Sequence, residues 1–323
     1  NSTTDFYNLI VDKGSDQTYR LIIRPTEYAN FRLFGANTSG GESGGSDPIL
    51  KKALWIRTGT LVLQGSTVIP SLTEGAAGGS PVSDFVIPAN GGLVIDGTEV
   101  VVLVTSDDYQ EVNVAYGVSG GTGAANGVNV AANPQALVLY GKLQVSNGYL
   151  STRESAGILY SNVGSGQFSL TGGTVDAKQF REYGTTGSGA SYAQTGGTLL
   201  LRGRFKRVPA QYSAVTDLAA SDAATVNTVR AANGTSGSYG TFNINNTSNV
   251  FSMSGGTIKI LDACGTSAPV YALDIRSSAA NTNTTGGSFE LVPVTGSVLA
   301  DASPWLIYSV AAPFGNLKID RGA

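Results

Sequence analysis

The chain has 323 residues, a net charge of −3 and only 13% charged side chains, so no broad basic surface is available to draw in nucleic acid. Apolar residues make up 41% and run along the whole length, enough for a large core and too many for a disordered chain. Histidine is absent and cysteine occurs once, at Cys264, which excludes Ser–His–Asp and Cys–His nucleophile systems, the usual zinc ligands and a disulfide framework.

Cys264 is expected to be a small core side chain. No signal-peptide pattern opens the sequence, and no apolar run is long enough to span a membrane, so membrane insertion is not expected. Glycine is very abundant, at 43 residues.

In chain order, the first recognisable element is "FYNLIVDKG" at residues 6–14. It is followed by "RTGTLVL" (57–63), "ANGGLVI" (89–95) and "YGKLQV" (140–145). A sharper form of the pattern then appears in "FSLTGGTVDA" (168–177), "YAQTGGTLLL" (192–201), "FSMSGGTIKI" (251–260) and "NTTGGSFEL" (283–291). The last element, "FGNLKIDRG" (314–322), matches the first at five of nine positions, 308 residues later.

The glycine pairs Gly172–Gly173, Gly196–Gly197, Gly255–Gly256 and Gly286–Gly287 read as structural corners, because glycine accepts bends and positive φ that other residues resist. After one Thr or Ser, three residues of alternating direction follow each pair. The first and third are apolar, as in Val175 and Ala177, Leu199 and Leu201, or Ile258 and Ile260. The middle one is often charged, as in Asp176, Lys259, Glu290 and Lys318. That is the period of a strand with one buried face. An aromatic recurs four residues before the first glycine, at Phe168, Tyr192 and Phe251.

Corner-to-corner steps run from 24 to 33 residues, with one of 59 that is either two steps or one step plus an insertion. Such a period is that of a solenoid, whose coils are stable only when stacked. The expected fold is therefore all-β: a parallel β-helix or solenoid with loop insertions, right-handed by precedent, of roughly nine to eleven coils and about 45–50 Å. Antiparallel sandwiches also have short strands and glycine-rich turns, but they do not place one corner at near-constant spacing. Residues 35–48, 75–81 and 117–134 read as loops, and 214–232 as a loop with a possible short helix. No linker composition divides the chain. Residues 1–323 are expected to be one β-helix unit, and the matching ends suggest one repeat of about 308 residues in a longer tandem array.

Several stretches resemble the very large repetitive surface proteins of gliding bacteria exported by the type IX secretion system: "VIPANGGLVIDGTEVVVL", "YQEVNVAYGVSGG", "KLQVSNGYLSTRESAGILY" and "FSLTGGTVDAKQF". The resemblance covers residues 86–319. It implies an extracellular, cell-surface adhesin or filament carried by the motility machinery, and names no ligand. The family's C-terminal sorting signal does not appear in the sequence.

Two clusters are candidate sites. Asp107, Asp108 and Glu111 in "TSDDYQE" would suit calcium, the one cofactor the sequence suggests, although such a run is more often a solvated turn. Arg202, Arg204 and Lys206, with Arg207 beside them, would form a basic strip able to grip acidic polysaccharide, or simply a soluble outer face. Lys178, Arg181 and Glu182 lie one coil earlier and either extend that strip or pair among themselves. Asp84, Asp96 and Glu99 show no convergence.

The reading is a non-catalytic structural or adhesive repeat, whose partners are neighbouring repeats of the same polypeptide and surface polysaccharide. The alternatives are a carbohydrate-active β-helix enzyme, which needs an acidic groove, and a trimeric viral tail-fibre segment.

Overall fold

The computed structural model describes residues 4–6, 9–33, 54–69, 72, 84–104, 136–152, 157–161, 166–183, 189–203, 240–264, 270–292 and 305–320. The regions read as loops (35–48, 75–81, 117–134 and 214–232) lie outside the described residues.

Among the described residues the chain is all-β apart from two 3-10 turns, Tyr28–Asn30 and Ala279–Asn281. Every strand pairing is parallel. The pairings resolve into three columns, each adding one strand per coil, which fits a β-solenoid.

The first column runs through Phe85–Ile87, Leu137–Leu139, Ile158–Tyr160, Phe180–Glu182, Phe242–Ile244, Val270–Ile275 and Trp305–Ser309. The second runs from Arg20–Ile23 through residues 60–63, Gly91–Ile95, Lys142–Val145, Gln167–Leu170, 191–194 and 250–253 to Thr282–Thr284. The third runs from Val68–Ile69 through Val101–Leu103, Tyr149–Thr152, Thr174–Ala177, 198–201 and 257–260 to Ser288–Leu291 and Asn316–Ile319. Nine successive coils can be followed among the described residues. The 59-residue step is a single coil, because Ser191–Leu201 pairs directly with Val250–Ile260.

The glycine pairs sit at the corner between the second and third columns, and their two members do different work. The second adopts positive φ: 69° at Gly173, 65° at Gly197, 76° at Gly256 and 85° at Gly287. The first has no room for a side chain. A Cβ on Gly196 would lie 2.3 Å from the Thr171 carbonyl oxygen of the coil below.

The looser copies do not belong to this corner. Gly59 and Gly91 are paired where the second column begins, Gly141 lies over Gly91, and Gly92 lies against Thr60 within that column. The true predecessor of Gly173 is Gly148 (φ 82°), whose carbonyl oxygen a Cβ on Gly173 would meet at 2.5 Å. A tight turn looks alike at either corner, so spacing alone merged two sets.

Inward side chains form one continuous core along the axis. Its centre is a double aromatic ladder. Tyr160, Phe180 and Phe242 stack in the first column at 5.3 and 5.6 Å. Phe168, Tyr192 and Phe251 stack in the second at 5.2 and 5.5 Å. The ladders interlock edge-on, as in Phe168–Phe180 at 5.1 Å and Tyr192–Phe242 at 5.1 Å. Such pairs are worth about 0.5–1.5 kcal/mol each beyond their buried area. Thr174, Thr198, Thr257 and Ser288 fall in register up the third column.

Candidate functional site

The basic strip is where structure and sequence part. Arg202 is fully buried, and its Nε and Nη2 donate to the two carboxylate oxygens of Asp176 at 2.6 and 2.8 Å. Tyr149, one coil earlier still, donates its hydroxyl to Asp176 at 3.0 Å. The guanidinium of Arg202 is therefore not presented to a glycan, which corrects its place in the strip. The reason is local: Asp176 is the middle residue of its strand, it lies against Leu200 of the next coil, and Arg202 follows that strand by one residue. Arg204, Lys206 and Arg207 lie outside the described residues, as do Asp107, Asp108 and Glu111.

The remaining candidates are drawn into the stack. Phe180 is in the core, Lys178 and Arg181 are half-buried, and Glu182 is buried. Asp84 accepts the Ala136 N–H at 2.7 Å, Asp96 accepts Gln64 Nε2 at 2.8 Å, and Glu99 accepts the Ser66 hydroxyl. Each acid thus ties adjacent coils instead of converging on a groove. Among the described residues no group of three His, Cys, Asp or Glu side chains could hold a metal ion. Cys264 is buried, and burial pushes its thiol up to about 11.

Two polar arrangements escaped the sequence reading. Gln194 lies inside a corner: its Nε2 donates to Gly196, Gly197 and Thr257 carbonyls, each at 3.2 Å, while its Oε1 accepts the Tyr192 hydroxyl at 2.6 Å. Asp274 accepts Asn243 Nδ2 at 3.1 Å and Arg276 Nε at 2.9 Å, and the Arg276 guanidinium lies 5.5 Å over the Tyr308 ring. Only the motif's regularity hinted at the first, and nothing local marked the second.

The most exposed apolar surface gathers at the two ends of the stack. At the first coil, Phe6, Ile10, Tyr19 and Ile22 are exposed. At the last, Tyr308, Val310, Leu317 and Ile319 are. Leu9–Asp12 pairs by one edge with the first half of Leu54–Leu63, ahead of the Gly59 corner, and so takes a first-column place. Its sequence counterpart Asn316–Ile319 stands in the third column and pairs with Ser288–Leu291. These strand edges and apolar ends form the strongest candidate interface among the described residues.

No protein-family model matches the chain, and no curated protein or solved structure matches it either.

Proposed function

We infer that the chain is a non-catalytic structural and adhesive repeat of a large extracellular surface polypeptide, built as a parallel, right-handed β-helix with loop insertions. The observation that carries this reading is the repetition of one strand sequence 308 residues apart, at Phe6 and Phe314, with strand edges that have no partner among the described residues and apolar side chains exposed at both ends. Stacked coils linked by cross-coil hydrogen bonds suit a rod that transmits force. The resemblance to surface proteins of gliding bacteria supports a cell-surface location, export by the type IX route and a role in adhesion or gliding. Polysaccharide is the expected surface ligand, and neighbouring repeats are the expected partners.

The test is the mass of the intact polypeptide from its native source, with peptide mapping. A chain many times longer than 323 residues, yielding peptides of this unit repeatedly, is the expected result. A chain near 33.1 kDa would overturn the tandem reading and return weight to a glycan-cleaving enzyme, for which Asp107 and Asp108 would be substituted first.

A further inference from the structure

We propose that the strand Asn316–Ile319 is the first strand of a following copy of this chain, so that coils pass from one unit to the next with no joint between them. The proposal rests on the tandem reading and adds the geometry of the junction.

Backbone groups of successive strand residues point to opposite edges. Lys13 donates its N–H to the Thr58 carbonyl at 3.2 Å, which turns the Asp12 N–H to the other edge, where no described strand pairs with it. Asp320, the counterpart of Asp12, donates its N–H from that very edge to the Leu291 carbonyl at 2.9 Å. The chain's two ends thus display the two halves of one fully paired strand.

The side chains agree. Leu9 and Val11 face the core, as do their counterparts Leu317 and Ile319, which pair with the buried Phe289 and Leu291. Val11, covered by the coil above, is 1% exposed, whereas Ile319 is 59% exposed. Phe314 packs against Phe289 of the coil below at 5.0 Å. Phe6 packs against Phe31 at 5.4 Å. Superposed, one ring would touch both neighbours and continue the aromatic column through the junction. Asp12 accepts the Thr58 hydroxyl at 2.9 Å and faces Arg57 at 3.7 Å, and Asp320 would take up the same contacts from the following copy.

Chain order closes the argument. After this strand the following copy supplies Arg20–Ile23, which falls over Trp305–Ser309, where Tyr308 is exposed. Between the matching strands the chain passes eight coils and two-thirds of another, from the first column to the third. Each unit would therefore rise about 42 Å and turn by about a third of a revolution relative to the last.

The test is a two-copy chain, residues 1–308 followed by the complete sequence, compared with the single chain by amide hydrogen exchange. In the single chain the Ile10 and Asp12 amides face an edge with no partner among the described residues and should exchange fast. At the junction of the two-copy chain the same amides should exchange at least about a hundredfold more slowly. Fast exchange there, with both copies folded, would mean jointed beads and overturn the proposal while leaving the tandem reading intact. Imaging of the native filament gives an independent check: a rise near 42 Å with a third-turn rotation supports the junction, and a rise with no such rotation overturns it.

Discussion

Arg202 grips Asp176 through two hydrogen bonds, of 2.6 and 2.8 Å, across 26 residues of sequence and one step of the coil stack, with neither side chain reaching solvent. A buried ion pair is costly to break because the remaining charge is stranded, whereas replacing both members by apolar groups is often close to neutral. Arg202→Met or Asp176→Leu alone should each destabilise the fold by about 3–5 kcal/mol in urea unfolding. The double variant should recover most of that loss. Additive losses in the double variant would show that the pair is not the coupled unit described.

The corner glycines should separate by the kind of neighbour they face. At Gly197, φ is 65° and a Cβ would lie 2.8 Å from the carbonyl oxygens of both Gly172 and Gly173, which cannot move independently of their coil. At Gly14, φ is 69° but the obstacle is the Tyr19 ring, an exposed side chain that can swing aside. Gly14→Ala should cost about 1 kcal/mol, and Gly197→Ala more than twice as much, by thermal or denaturant unfolding. Equal losses would count against the close coil-on-coil approach at that corner.

The aromatic ladder should behave as one cooperative column. Phe180 touches Tyr160, Phe168, Tyr192 and Phe242. Phe180→Ala should cost about 3–5 kcal/mol and, because coils depend on their neighbours, lower amide protection in the coils on either side. A loss confined to one coil would contradict a continuous core.

Cys264 offers a pH test. Its thiol stands at about 11, above its ordinary 9.0, chiefly because burial disfavours the thiolate. The folded state therefore keeps a proton that the unfolded chain releases. The associated stability is complete below about pH 9 and is lost as pH rises through 11, a change of about 2–3 kcal/mol. Cys264→Ala should flatten that part of the stability profile, and the native thiol should react slowly with alkylating reagents at pH 8. Rapid native labelling would place the thiol at the surface and refute the burial.

The apolar ends should drive association. Strand edges without a partner among the described residues, together with exposed Leu317 and Ile319, invite end-to-end contact. Light scattering of the isolated chain should show mass rising with concentration, and Ile319→Lys should reduce that rise severalfold. A clean monomer at every concentration would count against sticky ends.

Much of the fold was legible because its demands are local. Alternation after each glycine pair marked the inward residues, and Val175, Leu199 and Ile258 are all fully buried, but the middle residues Asp176 and Leu200, which the same period turns outward, are buried as well. The recurring aromatic predicted the stack of Phe168, Tyr192 and Phe251. Local pattern cannot say which corner a glycine serves, so the stretches that hold Gly59, Gly92 and Gly141 read as copies of a corner they do not occupy. Nor could it say that Arg202 turns inward, since its environment is set by Asp176 and by the coils that carry both. The sequence by itself determined strand period, coil spacing and the repeated strand at the two ends, because backbone geometry and alternation act over a few residues. Only the tertiary structure decided which strand lies on which and which charges are buried, because those depend on residues one coil away in space and 21 to 62 positions away in sequence.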